Sequence, residues 1–198
     1  MKRPEPSAER PPKQAAWSDG WYAFAAHRHS PNFGPRPATV KVDLVVIHAI
    51  SLPPGEYHGS AVEDLFTNRL DWNAHPYYQS IKGLKVSAHF FIRRSGDLLQ
   101  FVSCNDRSWH AGSSEHQGRQ QCNDFSIGIE LEGLDHHRFE DGQYETLASL
   151  SAAILQHYPV QSFAGHEHIA PGRKSDPGRA FDWVSLQKRL GLSDQYFP

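Results

Sequence analysis

The sequence is poor in cysteine, has no long apolar run and carries no large excess of either charge. Cys104 and Cys122 are its two cysteines. That is too few for the disulfide framework of a small secreted domain, and they read as reduced thiols of a cytosolic protein. Nowhere does an apolar stretch reach the roughly 20 residues that a membrane-spanning helix needs. Residues 1–16 mix proline with charge. Their start is basic, but no apolar segment of a secretory leader follows, and no cysteine stands near the start to carry a lipid. The expectation is a disordered tail over 1–16 and a cytoplasmic protein. A formal net charge of -2 with both signs mixed gives no electrostatic ground for a nucleic-acid or membrane partner.

What remains, 17–198, is enough chain for one domain that buries a core without disulfide staples, expected as a monomer. Residues 17–37 are aromatic and proline-rich without a period, and are expected to wrap the domain as coil anchored by Trp21, Tyr22 and Phe33. Val42 to His48 is apolar and β-branched, the pattern of a buried strand. Ser60-Ala61-Val62-Glu63 has the spacing of a capping box and predicts a helix through about Leu70. Asp71 to Gly83 has no period and reads as an irregular wall or lid. Val86 to Arg94, a turn at Ser95-Gly96-Asp97 and Leu98 to Val102 predict a hairpin. Ile127 to Glu132 predicts another strand. Gln143 to Tyr158 carries apolar residues at helical spacing, and Asp182 is placed to cap a last helix through about Leu190. Strands and helices intermix, so the fold class is α/β: one domain, a central mixed β-sheet flanked by helices.

The chemistry concentrates in Gly165 to Gly178, where His166, His168, Lys174 and Asp176 sit among prolines that stiffen the backbone. A histidine with an aspartate is the donor mixture that suits zinc, and His48, ending a buried strand, is the best third donor. In an extended segment His166 and His168 would face the same way, so that pair is a competing chelate. Glu130 and Glu132 share one face of their strand by the period of two. A carboxylate in an apolar strand needs a hydrogen-bond partner or a raised pKa. His89, on the hairpin, reads as a half-buried polar residue outside the metal set.

Five blocks, in this order, carry a resemblance: Leu44 to His48, Val86 to His89, Trp109-His110-Ala111-Gly112, Cys122 to Gly133, and Gly165-His166 through Gly178. Together they resemble the AmpD-type N-acetylmuramoyl-L-alanine amidases over roughly residues 17 to 190. The resemblance implies the same mixed-sheet domain and Zn2+ held by His48, His166 and Asp176. It gives Glu130 as the catalytic glutamate, Lys174 as the catalytic lysine, and His168 as second to the ligands or substrate-facing. The implied substrate is a muropeptide, cut between the lactyl group of N-acetylmuramic acid and L-alanine, with a 1,6-anhydro sugar in the cytosolic branch. On this reading Trp109 stacks on the sugar, while Lys85 and Arg119 meet stem-peptide carboxylates. Two imidazoles and one carboxylate would leave a tetrahedral zinc one open position for water. Glu130 would then be base and proton shuttle, with Lys174 at the developing oxyanion. Two positions depart from the family: Ala49 where asparagine is common, and Gln121 where close relatives carry arginine. The alternative function is a recognition module that binds muropeptide without cutting it; such modules typically lack a metal ligand. A zinc-stabilised structural domain is the third reading.

Overall fold

The computed structural model describes residues 16–198. The tail expected over 1–16 therefore lies outside the described residues except for Ala16, whose carbonyl accepts from Ala23 N at 2.9 Å.

The central sheet has six strands: β1 (Ala26–His27), β2 (Leu44–Ile50), β3 (Phe90–Ile92), β4 (Leu98–Gln100), β5 (Ser126–Glu132) and β6 (Ser162–Gly165). Their spatial order is β6-β2-β5-β3-β4-β1. Pairing is parallel from β6 to β3, antiparallel between β3 and β4, and parallel again between β4 and β1. Among the described residues five α-helices accompany it: α1 (Ala61–Phe66), α2 (Pro76–Ser80), α3 (Asp141–His157), α4 (His166–Ile169) and α5 (Trp183–Leu190). This is the mixed sheet with helices that the sequence predicts.

β2 and β5 lie inside the sheet and are covered on both faces, which is why their sequences run apolar almost without interruption. On one face Val45, Ile47, Ile127, Ile129 and Leu131 pack with Leu147, Leu150 and Ile154 of α3 and Leu186 of α5. On the other, Leu44 and Val46 meet Ala111, Cys122, Phe125, Ala164 and Ile169. Alternation then puts His48 and Glu130 on this second face, away from α3. The register pairs His48 with Glu130 across β2 and β5, and Gly165 with Ile47 across β6 and β2. His166, one residue past the end of β6, thus arrives beside them. The carboxyl ends of parallel strands, where open α/β sheets hold their ligands, carry all three.

Local expectations fared unevenly. α3 opens on Glu140, whose N–H donates to Gln143 Oε1 at 3.0 Å, and Asp182 caps α5 by accepting from Ser185 N at 2.8 Å. The box expected at Ser60 does not form. Its hydroxyl donates to the Asp64 carboxylate at 2.7 Å, and Glu63 is drawn to Arg28 and Arg93. α1 stops at Phe66, short of Leu70, and the chain turns left-handed at Asn68 (φ 58°). The segment 71–83, expected to be irregular, contains α2, started by Pro76 and capped by His75 Nδ1 accepting from Tyr77 N at 3.1 Å. The predicted strand from Val86 is paired only over Phe90–Ile92, because Ser87 N turns aside to Trp109 O.

In the wrapping segment Tyr22 is buried, but Phe33 is 43 % exposed and is no anchor. Polar groups do that work. Asn32 Nδ2 reaches Phe66 O, Asn68 Oδ1 and Val86 O, and Arg36 donates to the carbonyls of Cys104, Asn123, Asp124 and Ser126 at 2.8–3.1 Å. Burial pushes the Arg36 pKa down to about 10, which leaves it cationic at neutral pH. Arg36→Met keeps the apolar stem and strands four carbonyls, so an unfolding free energy lower by about 3 kcal/mol or more is expected. Urea denaturation would measure it, and a loss below about 1 kcal/mol would mean water replaces the guanidinium at little cost.

Candidate active site

His48, His166 and Asp176 come from the end of β2, the first residue of α4 and the loop beyond it. Their approach is close: His48 Nδ1 lies 3.0 Å from His166 Nδ1 and 3.1 Å from Asp176 Oδ2, and His166 Nδ1 lies 3.2 Å from the same oxygen. His166 Nε2 is 3.1 Å from Ala111 O. A carbonyl only accepts, so the proton of neutral His166 sits on Nε2 and Nδ1 offers a lone pair. Burial pushes the His48 pKa down to about 4 although Asp176 works the other way, so this ring is neutral at pH 7. Burial would raise the Asp176 carboxyl, yet the imidazoles of His166 and His48 hold it well below the usual carboxylate range. Two imidazole nitrogens and an anionic oxygen thus converge within one group able to hold a metal ion. Tetrahedral zinc ligands at about 2.0–2.1 Å from the ion stand about 3.3 Å apart, close to these spacings, so the donor set fits a divalent cation.

Two of the three donors, His166 and Asp176, line a cavity of about 370 Å³. Glu130, Lys174 and His110 complete its polar side, while Leu52, Pro54, Phe66, Tyr77, Ile81 and Leu84 supply apolar wall. Ala49, one of the two departures from the family pattern, also lines it. Glu130 is 8 % exposed, and its Oε2 has no hydrogen-bond partner among the described residues. Burial first, then the Asp176 charge, lift its pKa well above the ordinary glutamate range, against a smaller pull from Lys174. A carboxylate so placed is a stronger base than one in water. Glu132, two residues on, is buried and accepts from the backbone N–H groups of His58 and Arg94 at 2.8 and 3.0 Å. It ties the loop after β2 to the β3–β4 turn and does not line the cavity.

The four residues expected to contact substrate do not line this cavity. Lys85 is exposed, and Trp109 is half-buried with its backbone N–H donating to Ser87 Oγ at 3.1 Å. Arg119 is paired with Asp43 at 2.7 Å and lies 3.8 Å above the Phe125 ring. His168 Nδ1 accepts from Gly165 N at 2.8 Å, and the residue lines a wider groove of about 730 Å³ together with Gln121. His89 stays outside the metal group, its Nδ1 accepting from Gly128 N at 3.0 Å. The residue that sequence reasoning passed over is His110, present in one of the matching blocks without an assigned role. Its ring is buried with Nδ1 2.9 Å from His48 Nε2.

Residues 38–179 match the family model of N-acetylmuramoyl-L-alanine amidase, and the chain belongs to that family of amide hydrolases. The similarity is to its AmpD-type members. The 1,6-anhydro-N-acetylmuramyl-L-alanine amidase AmpD of Citrobacter freundii is 50% identical over 171 residues, 85% of this chain and 91% of that protein. A crystal structure of an AmpD selenomethionine derivative superposes with a TM-score of 0.85 at 47% identity, covering 87% of this chain and 98% of that one. More distantly, the Escherichia coli amidase AmiD, solved with anhydro-N-acetylmuramic acid-L-Ala-D-gamma-Glu-L-Lys, gives a TM-score of 0.57 at 26% identity over 80% of this chain and 61% of that one.

Proposed function

We propose that the protein is a zinc-dependent amidase of peptidoglycan recycling, acting in the cytoplasm on muropeptides. The bond cut joins the lactyl carbonyl of 1,6-anhydro-N-acetylmuramic acid to L-alanine of the stem peptide. The single observation that carries this reading is the meeting of His48, His166 and Asp176 within 3.0–3.2 Å beside a cavity lined by His166, Asp176 and Glu130. The names of the AmpD relatives and the substrate held by AmiD support the choice of bond and sugar.

A zinc held by these three side chains supplies Lewis acidity, polarising a carbonyl and making water nucleophilic near neutral pH. Glu130, its basicity raised by burial and by Asp176, takes the proton of the attacking water and returns it to the departing amine. The Lys174 ammonium faces the negative charge that develops on the carbonyl oxygen. The apolar wall excludes bulk water around the reacting bond. Among the described residues no helix is long and apolar enough to cross a membrane.

Product analysis of purified anhydro-muropeptides tests bond and sugar together. The expected products are the free peptide with an L-alanine N-terminus and the anhydro sugar. Chelator should abolish release and added zinc restore it. Muropeptide bound but never cleaved, with zinc present, would favour a recognition module instead.

A further inference from the structure

Both imidazoles of the metal group are held from behind by one dipeptide, His110-Ala111. Ala111 O receives His166 Nε2–H, and the His110 ring meets His48 Nε2. The N–H groups of His110 and Ala111 both donate to Asn123 Oδ1, at 3.1 and 2.8 Å, which fixes the dipeptide against the sheet. Room for the ring comes from Gly128 on β5: a Cβ there would stand 2.5 Å from His110 Cγ, an overlap.

The direction of the hydrogen bonds behind His48 follows from an acceptor that cannot donate. Ser126 Oγ lies 2.6 Å from Cys122 O, so the hydroxyl proton is committed to that carbonyl. Ser126 Oγ, 3.1 Å from His110 Nε2, must then accept from it. No carboxylate among the described residues bonds to the His110 ring, so nothing there holds a second proton, and its Nδ1 is bare. At 2.9 Å from that bare nitrogen, His48 Nε2 must donate. The His48 proton is thereby kept on Nε2, and the Nδ1 lone pair faces His166 and Asp176.

We propose that His110 is a positioning residue for metal binding, locking the His48 tautomer through a one-way chain of His48 Nε2–H to His110, His110 Nε2–H to Ser126, and Ser126 O–H to Cys122 O. The inference rests on the metal reading above and deepens it: His110 is not one of the three donors of the metal group and acts on it through His48. Its Nδ1 is the atom that matters, and asparagine carries an acceptor at nearly the same place.

The test has two arms. Histidine proton–nitrogen spectra of the metal-free wild type are expected to show His48 protonated on Nε2; an Nδ1-protonated His48 overturns the proposal, whatever any variant does. Zinc affinity by chelator competition is expected to fall about 10–100-fold in His110→Leu, the usual cost of losing an outer partner of a ligand histidine, and to recover to within a few-fold in His110→Asn. Unchanged affinity in His110→Leu beside a zinc-binding wild type overturns the positioning role alone. A wild type that binds no zinc overturns the metal reading and, with it, this inference. If His110→Leu does not fold, the wild-type spectra and His110→Asn decide.

Discussion

Glu130→Gln is expected to lower kcat by about 10²–10⁴-fold, the usual contribution of a positioned general base, while zinc still binds and the metal-free protein loses no stability. Glutamine keeps the shape of a side chain packed on β5 beside His48 and removes its capacity to take a proton. Because burial and Asp176 raise the Glu130 pKa in the folded state, ionising it opposes folding. The sign follows from linkage. Below the unfolded-state pKa of about 4.3 both states are protonated and the raised value costs nothing; as pH rises through the folded-state pKa the penalty appears. Thermal melts of the metal-free proteins should therefore favour the variant at pH 7 and converge in acid. The wild-type activity should rise as pH climbs through the Glu130 pKa, and the residual activity of the variant should lack that limb. A variant with wild-type kcat would remove Glu130 from the chemistry.

His166→Ala is expected to abolish stoichiometric zinc binding, a larger loss than the about 10–100-fold typical of outer partners, and to bring hydrolysis to background. His168→Ala should bind zinc within a few-fold of wild type. The contrast turns on backbone geometry. An extended segment would point both histidines the same way, but Gly165 leads directly into the turn of α4. At about 100° per residue, side chains two positions apart on a helix diverge by about 200°. His166 faces His48, whereas His168 folds back and caps the turn through Gly165 N. Losing that cap should cost about 1 kcal/mol of stability, visible as a lower Tm with metal content intact. Metal analysis of both variants after dialysis settles the matter, and equal zinc loss in the two would restore the His166–His168 chelate.

The parts of this fold legible in the sequence are those governed by short periods. The apolar runs of β2 and β5 announce buried strands, and their alternation sets Glu130 and Glu132 on one face, but it is the register of the two strands that brings Glu130 beside His48. α3 shows its stripe, and Asp182 its cap. α4 was not legible because its four residues complete barely one turn, too few to display a period. The Ser60 box failed for a competitive reason: Asp64 and Arg93 offered its two polar side chains better partners. Arg119 is occupied by Asp43, 76 residues away, and His110 meets His48 across 62. Such pairings depend on the finished packing and leave no local trace.

With the roles proposed for His48 and Glu130, their one-to-one match across two parallel strands would make strand alignment itself a determinant of catalysis. A slip of one residue between β2 and β5 would rotate every β5 side chain to the opposite side of the sheet. Ile129 or Leu131 would then look out beside the imidazoles, and the carboxylate would be driven into the oily layer beneath α3. Insertions or deletions in the stretch feeding β5 should therefore silence the enzyme even where the chain still folds, whereas length changes in the β3–β4 turn should be far better tolerated.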